Sequence, residues 1–141
     1  MSIPRLIEFS KIGTPALGYI TVGQNSELPF IIERVYWTYF TPDSVVRGHH
    51  AHHELEQLIF ATSGHIEFVL EGLDGKKELF VLDSPNIGLY IPKQYWRTIK
   101  FSHNAVLLCL CSQQYQEIDY IRDYTQFAKL QVVNQESLLN E

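Results

Sequence analysis

Short runs of β-forming residues return at nearly even intervals between positions 57 and 111, and each is closed by turn residues, a rhythm that few folds can accommodate. Residues 57–62 are ended by Ser63-Gly64, and 65–70 alternate cleanly as His-Ile-Glu-Phe-Val-Leu. Gly72-Leu-Asp-Gly75 closes a hairpin into 77–82, Asp83-Ser84-Pro85 turns into 87–91, and Pro92-Lys93 turns into 96–101. Ser102-His103-Asn104 then leads to a last strand over 105–111. Upstream, 6–9 reads as a short strand able to pair at a sheet edge or across a dimer, and 18–22 as another after the break at Gly13-Thr14-Pro15. A long strand is expected over 30–40, with Arg34, Tyr36 and Thr38 on its inner face and Val35, Trp37 and Tyr39 outside. Only the tail changes period: from Asp119 as N-cap, Ile121, Tyr124, Phe127 and Ala128 recur at helical spacing, which predicts one helix to about residue 130 and fraying past Asn134. The whole is an all-β sandwich or barrel with one short C-terminal helix.

The 141 residues, 45% of them hydrophobic, suffice for one domain with a real core, so 1–141 is read as a single domain. A net charge of -5 without a Lys/Arg cluster argues against nucleic acid as a partner. No apolar run is long enough for a membrane span, and no basic N-terminal region precedes one, so the expected location is cytoplasmic. Cys109 and Cys111, two apart on one strand, share a face in poor disulfide geometry and are expected to be buried free thiols.

Function is concentrated in Arg47-Gly-His-His-Ala-His-His-Glu-Leu-Glu56, which holds four of the six histidines. On an extended strand His50 and His52 point to one face while His49, Ala51 and His53 point to the other. A solvated His-rich loop is the plain alternative, but this run leads directly into the apolar strand Leu58-Ile59-Phe60-Ala61, which places it like a site at a strand entrance. The spacing His50-x-His52-x-x-x-Glu56 resembles the first signature of the cupin superfamily, small antiparallel β-barrels or jelly rolls (RmlC-like) whose mouth holds a metal or a substrate. That resemblance implies a fourth ligand five residues after a proline, and counting from Pro92 arrives at Arg97, whose guanidinium cannot ligate. Facing a divalent ion at about 5 Å, it would repel by roughly 6 kcal/mol at an effective dielectric of ~20. No metal and no cofactor is therefore expected.

Without a metal, His50, His52, Glu56, Arg47, Arg97 and nearby tyrosines suit proton transfer next to a carbonyl: an imidazole accepts and returns the proton, while arginine or tyrosine donors hold an enediolate. Arg47-Gly-His-His-Ala-His52, Leu55-Glu56-Gln57, Ser84-Pro85-x-x-Gly88-Leu89-Tyr90, Trp96 and Asp119-Tyr120-Ile121-Arg122-x-Tyr124 together resemble the nucleotide-sugar 3,4-ketoisomerases, the WxcM-like or FdtA-like cupins. The resemblance covers roughly 28–127. It implies a metal-free homodimer that converts a dTDP-linked 4-oxo-6-deoxy sugar into its 3-oxo isomer, toward the 3-amino-sugars of surface polysaccharides such as lipopolysaccharide O-antigen. It also implies that His50 and His52 are catalytic, with Arg47 beside them.

Arg97, Tyr36, Arg34 and Glu56 complete the expected substrate-binding set. Among family members the residue after Trp96 is histidine or arginine and helps set the C4 configuration; Arg97 resembles the gluco-producing type, although Ala16-Leu17-Gly18 stands where some members carry Arg-Gly or Tyr-Gly. Tyr36 has the simpler reading of a core or rim aromatic, Arg34 that of an ion pair with Glu33 or Glu56, and Arg122 and Tyr124 that of helix packing. Two rival functions stand beside the isomerase: a metal-dependent cupin enzyme, and a non-catalytic sugar-nucleotide-binding module.

Overall fold

The computed structural model describes residues 2–140. In chain order its strands are β1 (Arg5–Glu8), β2 (Ile12–Thr14), β3 (Gly18–Ile20), β4 (Arg34–Thr38), β5 (Val46–His52), β6 (Gln57–Ser63), β7 (Ile66–Glu71), β8 (Lys77–Leu82), β9 (Ile87–Ile91), β10 (Trp96–Phe101), β11 (Val106–Cys111) and β12 (Tyr120–Ile121), followed by the helix α1 (Tyr124–Leu139). They form two five-stranded antiparallel sheets, ordered β1-β9-β6-β11-β4 and β12-β5-β10-β7-β8, and a separate β2-β3 hairpin. The expected all-β jelly roll is present as a sandwich, and no continuous ladder closes its two sheets into a barrel.

Period-2 alternation builds the interior. Ile66, Phe68 and Leu70 of β7 point inward and meet Ile59 and Ala61 of β6, Leu89 and Ile91 of β9, and Leu107 of β11. Both outer faces are also covered in part, which explains the unbroken apolar run of β6: Leu58 and Phe60 pack outward with Phe9 and Tyr90. Gly88 is required there, since a Cβ would lie 2.8 Å from the Phe60 ring. On the opposite sheet, Ala51 and Trp96 are covered by Ile121 and by Phe127 of α1.

Three expectations are corrected. The strand over 30–40 is reduced to β4, because its partner β11 ends opposite Arg34 and the chain turns through a positive φ of 58° at Phe40. The predicted division of faces nonetheless holds, with Trp37 and Tyr39 exposed and Tyr36 packed against the core. The helix does not start at Asp119. That carboxylate accepts from the backbone N–H groups of Glu54 and Leu55, at 2.9 and 3.1 Å, and Tyr120 and Ile121 pair with β5. Asp123 is the actual N-cap, accepting from the Thr125 N–H at 2.9 Å, and the helix continues to Leu139 instead of fraying past Asn134. Gln131 fastens it by donating to Glu71 and to the Gly72 carbonyl. Cys109 and Cys111 are buried free thiols, as expected.

Candidate active site

A bulge in β5 sets the geometry. Between Arg97 and Thr98 the register of β10 on β5 slips by one residue, with Gly48 at φ 91° and His49 at φ 56° absorbing the extra length. Only glycine fits at 48, since a Cβ would meet the Arg97 carbonyl oxygen at 2.8 Å. The extra residue changes the parity of the strand. Strict alternation would put Arg47 on the face opposite His50; with the bulge, Arg47, His50 and His52 share the inner side, and His49 is turned out to solvent.

The inner side at this end of the sandwich opens into a cavity of about 450 Å³ whose lining includes Arg34, Tyr36, Arg47, His50, Tyr120 and Arg122. His52 lies beneath His50, 1% exposed, with ring centroids 4.9 Å apart and nearly perpendicular. Nδ1 of His50 is 3.0 Å from the Gly48 carbonyl oxygen. A carbonyl only accepts, so the neutral ring carries its proton on Nδ1 and presents Nε2 as a free base. His52 has no partner on either nitrogen among the described residues. Burial, and after it the Arg97 charge, lowers His50 to about 4 and pushes His52 down further, so both rings are neutral at pH 7.

Arg97 occupies the interior beside them, 2% exposed and opposite His50 in register. It donates to the Gln57 amide oxygen and, at 3.0 Å, to the Tyr95 carbonyl, while its Nε is unpartnered. Gln57 in turn donates to Tyr36 Oη at 3.1 Å and to Cys109 Sγ at 3.2 Å. Arg34 reaches Cys111 Sγ at 3.4 Å and stands 5.7 Å from the Tyr36 ring. Among the described residues neither Arg34 nor Arg97 pairs with a carboxylate, so the ion pair expected of Arg34 with Glu33 or Glu56 does not form. A buried guanidinium without an acid costs several kcal/mol in desolvation, and it leaves the cavity ready for a negative charge.

Glu56 is the one expected site residue that the fold takes away. Its carboxylate receives the Tyr90 hydroxyl on the outer face of the first sheet. The cause is the alternation of β6: with Ile59 and Ala61 inside, Gln57 must also face in and Glu56 out. A metal held by His50, His52 and Glu56 therefore does not fit, and among the described residues no three His, Cys, Asp or Glu side chains converge as ligands.

The family model described as "FdtA: WxcM-like, C-terminal" matches residues 3–132. The chain belongs to this family. It is 36% identical to the TDP-4-oxo-6-deoxy-alpha-D-glucose-3,4-oxoisomerase of Aneurinibacillus thermoaerophilus, over 89% of this chain and 90% of that one. Among solved structures, a 3,4-ketoisomerase from Helicobacter canadensis superimposes with a TM-score of 0.85 at 38% identity, covering 91% of this chain and 96% of that one. The sugar 3,4-ketoisomerase QdtA of Thermoanaerobacterium thermosaccharolyticum, solved in complex with TDP, gives 0.84 at 33% identity, over 89% and 92% of the two chains.

Sequence reasoning missed Gln57 and Tyr120 in this FdtA-family site. Gln57 was legible only to a reader who knew which face of an all-apolar strand is inner. Tyr120 was hidden by starting the helix four residues early, although Asp123-x-Thr125 offered the better cap.

Proposed function

We propose that this chain is an isomerase that moves the ketone of a dTDP-linked 4-oxo-6-deoxy hexose from C4 to C3 without a metal. The observation that carries the reading is a neutral His50 with Nε2 free, over a second unpartnered imidazole, facing guanidinium groups that lack acids. The C3 proton, acidified by the adjacent carbonyl, passes to His50 and returns to C4 of the enediolate. Meanwhile a proton passes from O3 to O4, for which His52 is the shuttle. Arg34, Arg47 and Tyr36 line the cavity around the negative oxygens and the substrate's charge, and Arg97, buried behind His50, adds its positive charge from beneath. The cavity is of a size that takes a sugar with its nucleotide extending across the mouth. The named activity of the oxoisomerase relative and the TDP bound to QdtA support the substrate class.

Incubating the purified chain with dTDP-4-oxo-6-deoxyglucose and following the sugar by NMR tests this: the 3-oxo isomer should form, and EDTA should leave the rate unchanged. Binding without turnover would make the chain a sugar-nucleotide-binding module, and loss of activity with EDTA a metal enzyme.

Among the described residues no helix is long and apolar enough to cross a membrane. The expected setting is the cytoplasm, in 3-amino-sugar synthesis for surface polysaccharides such as lipopolysaccharide O-antigen. A homodimer completes the proposal. Val35, Trp37, Tyr39 and Phe40 expose an apolar strip along edge strand β4 and the turn that follows it, 47 to 87% exposed, larger than scattered surface residues explain. Light scattering should find twice the chain mass, and Trp37→Glu should reduce it to one.

A further inference from the structure

Tyr120 is joined to the two histidines by more than proximity. It sits opposite His52 in the β12–β5 pairing, and its ring centroid lies 4.4 Å from His52 and 5.2 Å from His50. The segment that carries it is anchored to the loop after β5, with Asp119 accepting from Glu54 and Leu55 and its carbonyl accepting from the His53 N–H at 2.9 Å. The Arg122 guanidinium stacks on the Tyr120 ring at 4.1 Å, and Glu117 grips that guanidinium through Nε at 2.6 Å and Nη2 at 2.9 Å. Tyr115 packs against Tyr120 at 5.7 Å and gives its hydroxyl to Glu117. His52, with neither ring nitrogen partnered among the described residues, and His50, held only through Nδ1, thus depend on an aromatic wall for their orientation.

We infer that Tyr120 is a positioning residue, and that the Arg122–Glu117 pair stacked behind it sets the electrostatic surroundings of His50 and His52. The inference rests on His50 being the base. Burial and Arg97 are the main reasons His50 titrates low, and Arg122 acts in the same direction. The other groups facing His50 are Arg34 and Tyr36 from β4, Arg97 from β10, Tyr115 ahead of β12, and Arg47 and His52 of its own strand, with His49 on that strand's outer side; all are common to the two charge variants below. Glu117 is exposed and paired, so removing it leaves Arg122 alone, while removing Arg122 leaves the Glu117 carboxylate alone. The two deletions must therefore move His50 in opposite directions.

The test combines kinetics with NMR titration of the His50 ring, assigned through His50→Asn. Arg122→Gln should raise the His50 midpoint by about 0.3 to 1 unit and Glu117→Gln should lower it by a similar amount, with the acid limb of kcat/KM following. Tyr120→Leu should lower kcat about tenfold with KM within twofold, and Tyr120→Phe should restore most of kcat. Shifts of one sign, or none, overturn the electrostatic half. If Tyr120→Phe is as damaging as Tyr120→Leu, the hydroxyl acts on substrate and the positioning role is wrong. Thermal melts separate misfolding of the Leu variant from lost alignment. The titration needs no turnover, so a chain inactive on the 4-oxo sugar would sink the isomerase reading and leave the electrostatic test intact.

Discussion

The two ends of the sandwich interior lie at opposite edges of one sheet and are filled in opposite ways. Toward β7 and β8, Ile66, Phe68, Leu70 and Leu82 interdigitate with no polar atom among them. Toward β5 and β12, the same layer holds Arg97, Gln57 and His52, with nitrogens on Arg97 and His52 that no protein group satisfies. Apolar burial stabilises by roughly 25 cal/mol per Å², whereas an uncompensated buried charge destabilises. The first end holds the fold, and the second, in the proposed function, is kept at its expense for chemistry.

The sharpest way to break this contrast is to truncate the apolar end. Phe68 is fully buried, so Phe68→Ala should cost about 3 to 5 kcal/mol in chemical denaturation, while the turnover of molecules that remain folded stays near wild type. A melt like that of the wild type would mean the stabilising end has been misplaced. At the polar end the sign reverses. Arg97→Met replaces an acid-free buried guanidinium by an apolar chain of similar length, and should leave stability unchanged or raise it by about 1 to 2 kcal/mol while turnover falls at least tenfold. A large loss of stability would show that Arg97 is structural.

The smallest effect is in the pH dependence. His50 binds its proton at about 4 when folded and near the usual 6.5 when unfolded, so between these values the unfolded chain holds more protons. Stability should therefore be full above about pH 6.5 and decline as pH falls toward 4. His50→Asn should make that decline shallower, which urea titrations at pH 7 and pH 5 would measure. An unchanged slope would place His50 in a more open setting than the fold gives it.

Much of the architecture was legible because alternation and turn chemistry are local. β8, β9 and β10 fall on the residues read from the pattern, and Cys109 and Cys111 on the expected buried face. What was not legible depends on partners distant in sequence. Nothing in residues 30–33 announces that β11 will end opposite Arg34. Both faces of β6 are apolar, so the choice between Glu56 and Gln57 is made by which sheet face meets the other sheet. Asp119 looks like a helix cap until the loop at Glu54 and Leu55 is folded onto it. The pair His50 and His52 was readable from parity alone, but placing Arg47 on their side needed the bulge at Gly48 and His49.

In the proposed reaction His50 carries the proton between carbons, and incubation of the 4-oxo substrate in D2O with wild type and His50→Asn tests that role most directly. Wild-type product should carry solvent deuterium at C4 to the extent that His50 exchanges. The Asn variant should still bind dTDP, keep the substrate's C3 hydrogen, and lose at least ~100-fold in turnover. If His50→Asn turns over and exchanges like wild type, His50 is not the base and the central claim is contradicted.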